Sequence, residues 1–306
     1  MESRDLDYLL AVAERGSVLR AAEQLGVTQP AVTKAIARLE REFDLPLFER
    51  GPRGMVPTAA GAALIARARK IRLEHDDALR ELAEMRAGTI GLVRFGFSPT
   101  VDAALVFGAC NQLLRERPAA RFHLRERLGG ELLDALQGGE IDLAVARIPE
   151  AGIEDVAQHV LYTDQLYVVA DAEHPLAHKR GIGLAELTRE EWILPPQRVA
   201  LRQQIETAFR AQGLPPPVLR VEIDSNHHAM FELVRGSRCL SLCGPNTLKE
   251  RTHLRPLAIR AESLDLHRRI GILHRRHAYL TPIACRLIDI LKARGGELSA
   301  PPDRAG

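Results

Sequence analysis

At 306 residues, 46% of them hydrophobic, the chain exceeds the size at which one core keeps growing, which points to two or three domains that need no disulfide staples. Lys+Arg 42 against Asp+Glu 40 leaves a formal net charge of +2, and the first 90 residues are balanced as well, so any basic surface must come from placement rather than from bulk charge. Cys110, Cys239, Cys243 and Cys285 form no CxxC pair, so reduced thiols are expected, with no metal and no cofactor.

The N-terminus carries Glu2, Asp5 and Asp7 where a signal peptide needs basic residues, and its apolar stretch is too short to span a bilayer, so a cytoplasmic protein is expected. Ser17, a capping hydroxyl, precedes Val18, Ala21, Ala22 and Leu25 at helical spacing. Gly26 and Val27 turn the chain into Thr28, a second cap candidate. Pro30 then falls in the first turn of a helix that points Val32, Ala35, Ile36 and Leu39 inward.

On a helical wheel the opposite face holds Pro30, Thr33, Lys34, Ala37 and Arg41, with Gln29 and Arg38 at its borders. Small polar side chains of this kind fit a major groove, where Gln and Thr bond base edges and Lys reaches guanine or phosphate. Many small helical domains contain two such helices, so the wheel alone leaves groove binding open. The continuation "LPLFERGPRGMVPT" supplies Leu45, Leu47 and Phe48 to close the core, then Arg50 and Arg53 around Gly51 and Gly54, which reads as a basic wing on the adjacent DNA backbone or minor groove.

At these residues the sequence resembles the LysR-type transcriptional regulators. "AAEQLGVTQPAVTKAIARLEREFDLPLFER" followed by "PTAAG" is similar to that family's winged helix-turn-helix signature over residues 3 to 61, and length and layout agree to about residue 298. The resemblance implies that Gln29, Pro30, Thr33 and Lys34 lie on the DNA-reading face, with Thr28 and Arg38 beside them and Arg50 and Arg53 on the wing. Thr33-Lys34 stands where that family often has Ser-Arg or Ser-Gln, and Leu19 where a small hydroxyl residue is usual.

From Thr58, a third cap candidate, "AAGAALIARARKIRLEHDDALRELAEMRAG" runs to Gly88 and carries Gly61, Leu64, Ala68, Ile71, His75, Ala78, Leu82 and Met85 in 3-4 alternation. A heptad stripe on a helix of about 43 Å asks for a partner helix; the alternative is packing along its own domain. Leu64, Ile71, His75, Leu82 and Met85 are the dimerisation candidates, and the family resemblance implies the same pairing.

After Gly88, strands such as "TIGLVRFGFS" and "IDLAVARI" alternate with helices, as in a mainly parallel doubly wound sheet, and a second such unit starts near "LYVVADAEHPLA". "RRIGILHRR" and a helix over 280 to 294 return to the first unit. The arrangement resembles the two-lobed periplasmic-binding-protein fold. At "FSPT", Ser98, Pro99 and Thr100 read either as a pocket at a helix N-terminus or as a plain cap. The loop "PPQRVALR" offers Gln197, Arg198 and Arg202 where the family often has a hydroxyl residue, and Gly129 and Gly130 stand where Thr is common. Asn226, with His227 and His228, lies at another lobe edge.

The expected class is therefore α+β multidomain: a winged helix-turn-helix over 1–58, a linker helix over 59–88, a two-lobed α/β effector-binding domain over 89–298, and a disordered tail over 299–306. The expected function is sequence-specific transcriptional regulation without enzymatic activity, in a homodimer or dimer-of-dimers tetramer that senses a small anionic or hydroxylated effector and contacts RNA polymerase. The rival readings are a ligand-independent architectural protein and an enzyme or solute-binding protein built on the same two lobes.

Overall fold

The computed structural model describes residues 3–52, 54–87, 91–149, 151–224, 228–260 and 263–299. Two compact units divide the chain, Met1–Arg86 and Ala87–Gly306, so the long helix belongs to the N-terminal unit.

The first unit runs α1 (Ser3–Arg15), α2 (Val18–Leu25), α3 (Gln29–Phe43), β1 (Phe48–Gly51), β2 (Gly54–Pro57) and α4 (Ala59–Ala87). The Ser17 hydroxyl accepts from the Arg20 N–H and starts α2, and Gly26 ends it in the left-handed conformation. Val32, Ala35, Ile36 and Leu39 are buried as their spacing predicts, against Leu9, Leu10 and Ala21. Leu47 and Phe48 join this core, held by Leu47 N–H donating to Glu40 Oε1 at 2.8 Å. Leu45 does not: Asp44 leaves α3 at φ 51°, and the turn aims Leu45 outward, 51% exposed.

β1 and β2 form an antiparallel hairpin, and the Met55 N–H donates to Gly16 O at 2.8 Å, fastening this wing to the α1–α2 turn. Thr58 caps α4 by accepting from the Gly61 N–H at 3.0 Å. Only glycine fits at 61, because a Cβ there would lie 1.9 Å from Leu47 O. The predicted stripe along α4 divides in two. Gly61, Ile65 and Ala68 are buried in the unit's own core, and Leu64 packs against it while staying partly exposed. Ile71, Leu79 and Leu82 are exposed at 47%, 54% and 62%. Met85 lies in the helix with its side chain outside the described residues, and Gly88 lies outside them altogether.

The second unit opens with β3 (Leu92–Phe97), α5 (Ala103–Glu116), β4 (Arg121–Glu126), α6 (Gly129–Gln137), β5 (Leu143–Arg147) and β6 (Val156–Gln165). It continues through β7 (Tyr167–Asp171), β8 (Arg180–Ile182), α7 (Leu184–Leu187), β9 (Glu191–Leu194), α8 (Ala200–Ala211), β10 (Val218–Glu222) and a 3-10 turn at His228–Leu233. β11 (Cys239–Cys243), α9 (Pro245–Glu250), β12 (Leu254–Pro256), β13 (Ala258–Ile259), β14 (His267–Arg275) and α10 (Pro282–Ser299) complete it.

One five-stranded sheet has the order β4-β3-β5-β14-β6 and the other β10-β9-β11-β7-β12. Within each, three strands are parallel (β3, β4, β5; β9, β10, β11), and β14 or β7 runs antiparallel. β6 leaves the first sheet and becomes β7 of the second after Leu166, and β14 returns, giving two lobes joined by crossing strands as expected. Phe95, Leu105, Ile272 and Leu287 fill the first lobe; Trp192 packs edge-on against Phe209 in the second, with centroids 6.3 Å apart.

α10 extends past the predicted end at 294, through Gly295-Gly296 to Ser299. The helix continues because Gly295 lets it approach β6: a Cβ there would come within 2.8 Å of Leu161 Cβ. Residues 300–306, predicted as tail, lie outside the described residues.

Candidate functional site

Thr28, Gln29, Pro30, Thr33 and Lys34 are all exposed at the start of α3, opposite its buried stripe. Thr28 occupies the N-cap position but its side chain makes no capping bond. The Thr33 hydroxyl donates to Gln29 O at 3.1 Å, one turn back. Arg38 differs from expectation: its guanidinium turns to the fully buried carboxylate of Asp5 and fastens α3 to α1, because a buried acid costs far more unpaired than an exposed phosphate contact returns. Arg50 is exposed on β1, and Arg53 lies outside the described residues.

Between the two lobes of the second unit lies a cleft of about 910 Å³, lined by Ser98, Pro99, Thr100, Gly129, Gly130 and Arg198 among others. The "FSPT" junction is a turn rather than a helix start. Ser98 N–H donates to Val145 O and Val101 N–H to Ser98 O, both at 3.0 Å. α5 begins only at Ala103, because the Asp102 carboxylate is the stronger cap and accepts from the Ala104 N–H at 2.8 Å. What remains for a ligand at this point is the pair of hydroxyls, Ser98 Oγ and Thr100 Oγ1, 3.2 Å apart.

Two helices start at the cleft without side-chain caps, α6 after Leu128 and α8 after Val199, and their first residues line the cavity. Side chains at Gly129 and Gly130 would meet open space.

Arg198 reaches Glu131 of α6 and Asp224 beyond β10, each at 3.5 Å. Arg202 is placed elsewhere. One residue past the cleft-lining Leu201, the 100° helical step carries it to the packed face, where it is buried with Nε 2.5 Å from Glu206. Gln197 is exposed and does not line the cleft. Asn226 and His227 lie outside the described residues, as does the side chain of His228.

Sequence reasoning missed two arginines. Arg268 of β14 lines the cleft while donating to both oxygens of Asp164, at 2.6 and 2.8 Å, and to Thr100 O at 2.7 Å. Arg147 ends β5 and also lines the cleft. Its position at the carboxyl end of a parallel strand in "IDLAVARI" was the available signal, since open α/β sheets bind ligands there.

Desolvation pushes the Cys110 thiol up to about 11 and the Cys243 thiol to about 12. Among the described residues no cluster of three or more His, Cys, Asp or Glu could hold a metal, and no helix is long and apolar enough to cross a membrane.

A helix-turn-helix whose second helix is exposed along one face, followed by a wing and carried on the same chain as a two-lobed cleft, fits a DNA-binding transcriptional regulator with an effector-binding domain. The family model for "Bacterial regulatory helix-turn-helix protein, lysR family" matches residues 3–62, and that for "LysR substrate binding domain" matches residues 86–296. The chain belongs to the LysR family of transcriptional regulators.

It is 32% identical to the nitrogen assimilation regulatory protein nac of Klebsiella aerogenes, over 80% of this chain and 81% of that one. It is 29% identical to the uncharacterised HTH-type transcriptional regulator YybE of Bacillus subtilis (strain 168), over 93% and 96%. The fold is shared with full-length CbnR complexed with its target DNA, at TM-score 0.59 and 22% identity over 96% of this chain and 100% of that one. A full-length OxyR variant from Pseudomonas aeruginosa gives TM-score 0.62 and 24% identity over 98% and 96%.

Proposed function

We propose that this regulator reads its operator through Thr28, Gln29, Pro30, Thr33 and Lys34, with Arg50 and Arg53 on the flanking backbone, and senses a small anionic or hydroxylated organic molecule between its lobes. The cleft carries this reading: two hydroxyls from one lobe and two uncapped helix starts converge on one cavity of about 910 Å³, within the range of small-molecule sites. The protein works in the cytoplasm as a homodimer through the exposed half of the α4 stripe, assembles further as a dimer of dimers, and contacts RNA polymerase. It binds its effector without converting it; no His or Cys is among the described residues lining the cleft, which supports a binding rather than a catalytic site.

Effector binding closes the lobes and shifts operator affinity by a coupling of about 1 to 3 kcal/mol, and operator DNA shifts effector affinity by the same factor. A thermal-shift screen of carboxylates, phenolics and sugars finds a ligand, and calorimetry on Ser98→Ala and Thr100→Val tests its place. Wild-type affinity in both variants moves the sensor elsewhere.

A further inference from the structure

Three arginines line the cleft, and they differ in what already holds them. Arg268 spends its guanidinium on both oxygens of Asp164 and on Thr100 O, a fixed strut between the crossing strands and the Ser98–Thr100 turn. Arg198 stands between Glu131 and Asp224, two carboxylates for one cation. Arg147 makes no hydrogen bond or ion pair with any described residue, and it lowers the pKa of Asp265 only through space.

The remaining lining is largely apolar and comes from both lobes, with Leu133 and Ile153 on one side and Ile193, Leu201 and Met230 on the other. Resting on the reading of this cleft as the effector site, we infer that Arg147 is its specificity-determining anchor and that the cleft takes a monocarboxylate with a bulky apolar body.

The charges decide the class. A guanidinium with no carboxylate bonded to it holds one planar carboxylate by two parallel N–H···O bonds. A second carboxylate, or the second negative charge of a phosphate monoester, has no cation left: it must pull Arg198 from its two acids or sit beside Glu131 and Asp134, which line the same cavity. A cavity of about 910 Å³ leaves room for two fused rings or a branched chain behind the carboxylate.

The test uses the full-length protein with 1-naphthoate, its neutral analogue 1-naphthamide, and naphthalene-2,6-dicarboxylate, read by calorimetry. The wild type is expected to bind the monoacid at least about tenfold more tightly than either other compound. Arg147→Gln is expected to lower monoacid affinity to that of the amide, and Arg147→Lys, which keeps the charge, to restore part of it. A monoacid preference that survives in Arg147→Gln overturns the anchor. A wild type that binds the amide or the diacid as well as the monoacid, or none of the three, overturns the ligand class. The cleft reading fails separately, when a screening hit binds Ser98→Ala and Thr100→Val as it binds the wild type.

Discussion

The Arg198 guanidinium stands 3.5 Å from Glu131 and 3.5 Å from Asp224, so one side chain joins the first turn of α6 in one lobe to the end of β10 in the other. The pair lies in water at the cleft mouth, with Arg198 58% and Glu131 46% exposed, so it contributes at most about 1 kcal/mol and is screened by salt. A double-mutant cycle of Arg198→Gln and Glu131→Gln, read by urea unfolding, is expected to give a coupling below about 1 kcal/mol that shrinks as salt rises. A larger, salt-independent coupling contradicts the exposed geometry.

Arg202 and Glu206 present the opposite case. Both are buried on the packed face of α8. Removing one partner strands the other charge, so Arg202→Ala is expected to cost about 3 to 5 kcal/mol of stability, and Arg202→Met with Glu206→Leu together much less. Chemical denaturation checks the order; an Arg202→Ala protein as stable as the wild type shows the pair to be solvated.

At the DNA face the two kinds of contact separate by their response to sequence. Gln29→Ala is expected to lose about 1 to 3 kcal/mol on the operator and little on random DNA. Arg50→Ala is expected to weaken both alike and to flatten the salt dependence. Binding curves on both DNAs at fixed salt decide; equal losses for Gln29→Ala remove it from base reading.

The divided stripe of α4 predicts two different failures. Leu82, 62% exposed, is expected to give folded monomers as Leu82→Asp, whereas the fully buried Ala68 is expected to unfold the N-terminal unit as Ala68→Asp. Light scattering together with circular dichroism separates them. A dimeric Leu82→Asp protein places the self-contact elsewhere.

Thiol chemistry is expected to be slow. Cys110, Cys239 and Cys243 are buried, and the exposed Cys285 has its pKa raised by partial burial and by Asp289. At pH 8 an Ellman-type reagent is expected to reach one of the four thiols in the native protein and all four in urea. Because the thiolate reacts and a raised pKa keeps it scarce, the native rate is expected to climb about tenfold per pH unit below that pKa. Fast reaction of two or more thiols at pH 7 indicates an opening that the fold does not show.

The helices of the reading head were legible because local rules set them: Ser17, Gly26 and Pro30 mark boundaries by their own backbone chemistry, and Val32, Ala35, Ile36 and Leu39 follow the helical period. The two lobes were legible through the alternation of apolar strands with helices. Partners distant in sequence were not. Whether Leu64 and Ala68 face a second chain or their own core depends on where Leu47 and Phe48 fold back, and a heptad stripe looks the same in both cases. By residue type alone Arg202 is a ligand-anchor candidate and Arg147 is not, since charge type carries no record of which side of α8 meets Glu206 or which strand end opens on a cavity. Electrostatic commitments such as Arg38 to Asp5, 33 residues apart, and Arg268 to Asp164, 104 apart, arise only when the fold removes those carboxylates from water and leaves one arginine near enough to pair with each.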